Sequence, residues 1–202
     1  MSERLLIEGR VEFLARPKSD RKRKAILEAA MELFEERGIA RTPTSAISAA
    51  AGVAEGTLFT YFRTKDELLN ELYRELRKEM DRELEDYPYA ADAYTRLRFI
   101  WDRYLGLAMR YPKRLKVLQQ LRASGRLLRG TEAPNVAIME LLQTMKEAAE
   151  AGGLRDTQAE LLVLLFRAQA EATAEFIGAH KDLEAESREL GFRLIWRGLT
   201  GF

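Results

Sequence analysis

The chain of 202 residues has no cysteine, one histidine and five prolines. Without cysteine, disulfides and thiolate-held metals are excluded, which argues against a secreted, stapled fold. With His180 alone, a histidine-based metal centre or triad is not available. No glycine-rich phosphate loop and no serine-centred elbow occurs either, so the chain offers no catalytic set, no metal site and no cofactor motif. No apolar run approaches the ~18 residues of a membrane span. The first residues, Met1-Ser2-Glu3-Arg4-Leu5-Leu6-Ile7-Glu8, lack the apolar centre of a signal peptide, and a cytoplasmic location is the expectation. Charge of one sign is also missing. Lys and Arg number 33 against 32 Asp and Glu, a net +1 that does not suit a general polyanion coat. Strand-like alternation is almost absent. Hydrophobic residues make up 47% of the chain, enough for a real core.

The most informative stretch is 44–65. Ile47, Ala50 and Ala51 recur at helical spacing, so the first of two short helices has a small apolar face. Gly52 supplies a turn that a Cβ would oppose. In the second helix Leu58 and Phe62 are four apart and share the inward face. Glu55, Gly56, Thr57, Phe59, Thr60 and Tyr61 are left facing elsewhere. Two aromatics, two hydroxyls and a glycine make a poor core face and a good DNA face. The pattern is a helix-turn-helix, whose second helix enters the major groove. Phe59 and Tyr61 have a second reading as packing aromatics.

Around it the register extends. Ile26-Leu27-Glu28-Ala29-Ala30, Leu33-Phe34, Gly38, Ile47, Ala51-Gly52-Val53, Gly56-Thr57-Leu58-Phe59, Tyr61-Phe62, Lys65 and Leu68-Leu69 together resemble the TetR family of bacterial transcriptional regulators. The resemblance covers roughly residues 20–70. It implies an all-α fold of about nine helices, with an N-terminal three-helix helix-turn-helix domain and a C-terminal helical ligand-binding and dimerisation bundle. The expected division is an extension over 1–18, a DNA-binding domain over 19–66 and a ligand-binding and dimerisation domain over 67–202. The implied partners are a palindromic double-stranded operator, a second copy of the chain and a small-molecule effector, with no membrane. The implied function is a ligand-responsive regulator, a repressor released by an apolar or amphipathic molecule, with an acyl-CoA as one candidate. The competing reading is a helical carrier or sensor without functional DNA binding.

By position in the family pattern, Thr44, Thr57, Tyr61 and Lys65 are expected at phosphates. Ser45, Glu55, Gly56, Phe59 and Thr60 are expected at base edges. Two departures from the family pattern bear on readout. Phe59 stands where tyrosine is common and cannot hydrogen-bond a phosphate. Ser45 and Ala46 replace longer polar residues, which weakens bidentate readout. The recognition helix carries no arginine for guanine, so specificity leans on apolar contact, backbone approach at Gly56 and DNA shape.

Arg16, Lys18, Arg21, Lys22, Arg23 and Lys24 crowd the entry to the first long helix, opposed by Asp20. Beside a DNA-binding module such a cluster, Lys24 included, suggests phosphate contact, and otherwise a solvated helix start. Residues 1–18 read either as an arm or as a segment that packs on a partner subunit or reaches the minor groove.

Periodicity places further helices. Helix one runs from Ser19 or Asp20 to Arg37, stopped by Gly38. Thr42 is the expected N-cap of helix two, with Pro43 at its first position. Helix four opens at Lys65 and buries Leu69, Leu72, Tyr73, Leu76 and Met80. Later segments span 92–110, 112–128, 135–151, 156–180 and 183–199, with Gly130 and Pro134 breaking the chain between the second and third. The last two carry apolar residues on more than one face, which implies burial on more than one side.

Trp101, Tyr104, Leu105, Met109, Leu121, Met139, Phe166 and Phe176 are the candidate wall of an apolar effector pocket, with plain core as the alternative. Arg110, Lys113, Arg114, Lys116, Arg122, Arg126 and Arg129 form a mid-chain basic group, either a solvated face or a receiver for an anionic head group. His180 reads as a helix-end or surface residue, or as a polar ligand contact.

Overall fold

The computed structural model describes residues 19–128, 136–153 and 158–201. The 1–18 extension with Arg16 and Lys18, the chain breaks at Gly130 and Pro134, and Arg129 of the mid-chain group lie outside the described residues. Within them every regular element is helical: α1 (Asp20–Arg37), α2 (Thr44–Ala50), α3 (Glu55–Tyr61), α4 (Lys65–Arg82), α5 (Ala93–Arg110), α6 (Pro112–Ala123), α7 (Val136–Ala151), α8 (Ala159–Ala179) and α9 (Glu184–Thr200). A short 3₁₀ turn, Lys181–Leu183, joins the last two.

The helix ends follow local chemistry. Gly38 closes α1 at φ 79°, its N–H donating to Phe34 O at 2.9 Å. Thr64 caps α4 by accepting from the Glu67 N–H at 3.1 Å, and the Glu67 carboxylate accepts from the Arg63 N–H at 2.8 Å. Asp92 caps α5 through the Thr95 N–H at 2.8 Å.

Three sequence expectations are corrected. Thr42 does not cap α2. It is fully buried, and its hydroxyl donates to Gly38 O at 2.8 Å and Leu33 O at 3.4 Å, tying the loop to the end of α1. Pro43 takes the cap position and α2 begins at Thr44. Ala50 is exposed, and the inner face of α2 is Ile47 and Ser48, because the helix is rotated to seat Ile47 against α1 and α3. Finally, α6 stops at Ala123, turning at Gly125 (φ 65°), instead of continuing to Leu128.

Two cores result. The first joins Ile26, Ala30 and Phe34 of α1 to Ile47, Leu58, Phe62, Leu68 and Leu69, and it includes Val117, Leu118 and Leu121 from α6. The second is built on Trp101, Leu105, Phe166 and Phe192 from α5, α8 and α9, with Met145, Ala148 and Ala149 from α7. Helix α6 is thus as much part of the first core as α4 is. Ion pairs fasten it there. Lys116 and Lys113 reach Glu35 of α1 at 3.0 and 3.5 Å, and Arg126, just past α6, reaches Asp66 of α4 at 2.6 Å. Asn70 of α4 adds a clamp, accepting from the Leu128 N–H at 2.8 Å.

The mid-chain basic group therefore forms no single face. Arg110 pairs with Glu83, Lys113 and Lys116 with Glu35, Arg122 with Glu171, and Arg126 with Asp66.

Candidate functional site

Helices α2 and α3 meet through the turn at Gly52 (φ 65°), where an L side chain would be strained. Leu58 and Phe62 are buried and anchor α3 from within. Glu55, Gly56, Phe59 and Thr60 are exposed, and Thr57 and Tyr61 are half-buried. Phe59 is a large apolar ring with 41% of its surface open to solvent, so packing does not account for its position. The Thr60 hydroxyl donates to Gly56 O at 3.0 Å. Ser45 is exposed at the start of α2. The Thr44 hydroxyl donates to Glu55 Oε1 at 3.0 Å, which locks the N-termini of α2 and α3 together.

Two expected phosphate groups are engaged by the protein itself. The Tyr61 hydroxyl accepts the Ser19 N–H at 2.8 Å, so it fixes the start of α1 against the end of α3. Lys65 donates from Nζ to Ile39 O and Thr42 O, both at 2.6 Å, with Phe34's ring centroid at 5.9 Å. Burial pulls the Lys65 ammonium below the usual lysine range, with Arg126 adding to the effect. Its place is that of a brace holding the loop between α1 and α2. Changing Lys65 to Met should strand two carbonyls and destabilise the domain by about 1–3 kcal/mol. Thermal unfolding of the variant beside wild type measures this.

The basic cluster divides as well. Arg23 turns inward to Glu71 of α4 at 2.5 Å and lies over the Phe62 ring. Arg21, Lys22 and Lys24 are exposed, Lys24 only 3.8 Å from Glu28. Arg63, exposed directly after α3, and Arg41, exposed before α2, flank the same face. Sequence reasoning passed over both, although a cation next to the recognition helix was the available signal.

In the second core the expected pocket residues separate. Tyr104 and Phe166 line a cavity of about 40 Å³ between α4, α5, α6, α7 and α8. Trp101, Leu105 and Leu121 are fully buried in packed core, Leu121 in the first one. Met109 instead receives a hydrogen bond from Arg188 at its sulfur. Met139 and Phe176 are exposed, and the Phe176 ring stacks on His180 with centroids 4.3 Å apart. A second apolar cavity of about 20 Å³ lies beside the first, sharing Met80 and Tyr104 with it. Both are far below the ~300 Å³ at which ligand pockets begin.

The outer faces of α8 and α9 are apolar and open. Leu161, Leu164, Leu165 and Phe176 of α8, and Leu190 and Leu194 of α9, are all exposed. Of the burial expected on more than one side of these helices, the chain itself provides one side, with Phe166, Phe192 and Ile195 in the core.

These features match known proteins. The family model described as bacterial regulatory proteins, tetR family, matches residues 26–72. A crystal structure of a putative tetR family transcription regulator from Shewanella superposes at TM-score 0.78 with 26% identity, covering 88% of this chain and 97% of that one. Residues 26–72 thus carry the DNA-binding pattern of the TetR family, on a chain with the fold of a TetR-family regulator. Among curated proteins, the chain is 32% identical over 83 residues to the fatty acid metabolism regulator protein of Bacillus subtilis. That match spans 41% of this chain and 43% of the relative. The crystal structure of the regulator FadR from Bacillus subtilis, in complex with stearoyl-CoA, superposes at TM-score 0.59 with 18% identity, over 89% of this chain and 98% of that one, a likeness of fold. Among the described residues no helix is long and apolar enough to cross a membrane.

Proposed function

We propose that this protein is a homodimeric transcriptional repressor that binds a palindromic operator and is released by an apolar or amphipathic small molecule. The observation that carries the reading is the outward face of α3, where Phe59, Thr60, Gly56 and Glu55 stand exposed on a helix anchored by buried Leu58 and Phe62. A second copy covers the apolar faces of α8 and α9, and two α3 helices then address half-sites related by a two-fold axis. Thr57, Tyr61, Arg63 and the exposed Lys22 and Lys24 supply phosphate contacts. Ser45, Phe59 and Thr60 meet base edges. Lys65 and Thr44 serve by holding the reading face in shape.

Relatives named for fatty acid metabolism, and a fold neighbour titled as holding stearoyl-CoA, support a long-chain amphiphile as effector. The small cavities sit between α4, α5, α6 and α8, where an occupant must push helices apart to fit. Because α4 and α6 both enter the first core, such a push moves α3 relative to its twin. A ligand that favours the spread state lowers operator affinity by its differential binding, typically about 1–3 kcal/mol.

Selection from a random duplex pool at about 150 mM salt tests this reading, since non-specific binding is already weakened there. An inverted repeat with half-sites a whole number of helical turns apart is expected, and a pool that stays random would contradict it. On the selected duplex, Tyr61→Ala should weaken binding by about tenfold, the value of one lost charge-assisted hydrogen bond. The loss should be similar for every sequence, as measured by fluorescence anisotropy, and unchanged affinity would refute the assignment of Tyr61.

A further inference from the structure

The wall of the larger cavity carries more positive charge than the fold neutralises. Arg122 enters from α6, and Arg167 and Glu171 lie one turn apart on α8. Tyr104 of α5 donates its hydroxyl proton to Glu171 Oε1 at 3.0 Å, and Arg122 Nη1 stands 3.8 Å from the same oxygen. The Arg122 side chain is only 13% exposed, and its Nε is buried without a hydrogen-bond acceptor. Arg167 makes no ion pair among the described residues. Its guanidinium is pushed below the usual arginine range, first by burial and then by Arg122. Two guanidiniums therefore stand near a single carboxylate, which ion-pairs with Arg122 alone and already accepts a hydrogen bond from Tyr104 on the same oxygen. Leaving a cation buried and undermatched is costly. The other walls of the same cavity are apolar, including Ile100, Leu141, Val163 and Phe166.

A cationic end on an apolar chamber has the chemistry of an acid head and a hydrocarbon tail. We propose that Arg122 and Arg167 form an anion site inside the effector cavity, and that the effector is an aliphatic carboxylate held there by its ionised head. The inference rests on the effector-controlled reading above and sharpens it. The head group replaces Glu171 as the partner of Arg122 and supplies an anionic partner for Arg167. The tail parts Met80 and Tyr104, the residues common to both cavities, and joins the two spaces. Since Arg122 lies one residue from Leu121 of the first core, re-pairing it shifts α6 where α6 meets α1 and α4.

Calorimetric titration of the full-length protein with dodecanoate, dodecanol and dodecanoyl-CoA tests this. Tryptophan fluorescence gives a second readout, since Trp101 lies 5.8 Å from Phe166 on the cavity wall. Dodecanoate should bind at least tenfold more tightly than dodecanol. Arg167→Gln should remove that preference and leave dodecanol unaffected, whereas Glu171→Gln should tighten dodecanoate by removing its competitor. A purely structural role for these side chains does not produce opposite effects from the two variants. Equal affinity for acid and alcohol overturns the proposal, as does failure of all three to bind. Dodecanoyl-CoA binding that is tightest of the three and indifferent to Arg167→Gln also overturns it, because the anionic group is then outside the chamber. Operator binding by the ligand-free protein is scored separately. Its absence would defeat the regulator reading while the titrations still decide the anion site.

Discussion

A double variant, Leu165→Glu with Leu194→Glu, is expected to be a folded monomer that has lost its hold on the palindrome. Both side chains are more than half exposed, at 57% and 58%, so neither substitution disturbs the packed core. In the proposed dimer they lie between two copies of α8 and α9, where four added carboxylates would face one another. Desolvating like charges in an apolar interface is strongly unfavourable. The consequence for DNA is larger than for the protein. Two half-sites bound by one linked pair of recognition helices gain avidity of about 10²–10⁴-fold over one site bound alone. Sedimentation should show halved mass with unchanged helicity by circular dichroism, and affinity for the palindrome should fall at least a hundredfold. A variant that remains dimeric places the interface elsewhere.

The second large effect lies in the C-terminal helical bundle. Trp101 is fully buried, its indole N–H donating to Arg188 O at 3.0 Å, and its ring rests directly on Gly191 of α9. A Cβ at Gly191 would lie 2.6 Å from Trp101 Cζ2 and 2.9 Å from the Thr173 hydroxyl. Neither neighbour is free to move, since the ring is enclosed and the Thr173 hydroxyl is bonded to Gln169 O. Trp101→Ala should cost about 3–5 kcal/mol through lost burial and the cavity it leaves. Gly191→Ala should cost about 1–3 kcal/mol by overpacking. The two losses should not add. With the ring gone, the methyl at position 191 occupies vacated space, so the double variant should be less destabilised than the sum of the singles. Denaturant unfolding of the three variants measures the coupling, and strict additivity would refute the contact.

What the sequence made legible was local. The turn at Gly52 and the anchors Ile47, Leu58 and Phe62 fall within one short stretch, and their spacing alone sets which side of α3 faces in. Helix boundaries were readable where caps are local, as at Gly38, and were misread where a distant acceptor wins. Thr42 has the local signature of an N-cap, but the carbonyls of Leu33 and Gly38 take its hydroxyl. Lys65 and Arg23 look like DNA-facing cations in one dimension. In the fold, carbonyls at Ile39 and Thr42 and a carboxylate at Glu71 claim them. The proposed effector site was the least legible. An apolar stripe has the same spacing whether its side chains fill a core, as Trp101 and Leu105 do, or border a space, as Tyr104 and Phe166 do. Arg122 stood in a run of basic residues whose partners are scattered over α1, α4 and α8. Its neighbours Arg167 and Glu171 are too distant in sequence for any motif to join them.

The central claim is that the α2–α3 face meets the DNA backbone through several phosphates while α3 reads sequence. The direct test is affinity for the selected palindrome and for a scrambled duplex across a range of salt concentrations. Neutralising about six phosphates per dimer predicts a slope of log K against log salt near −5. The palindrome should stay at least a thousandfold preferred at about 150 mM salt. A nearly flat salt response, or equal affinity for both duplexes at every salt concentration, would contradict the account.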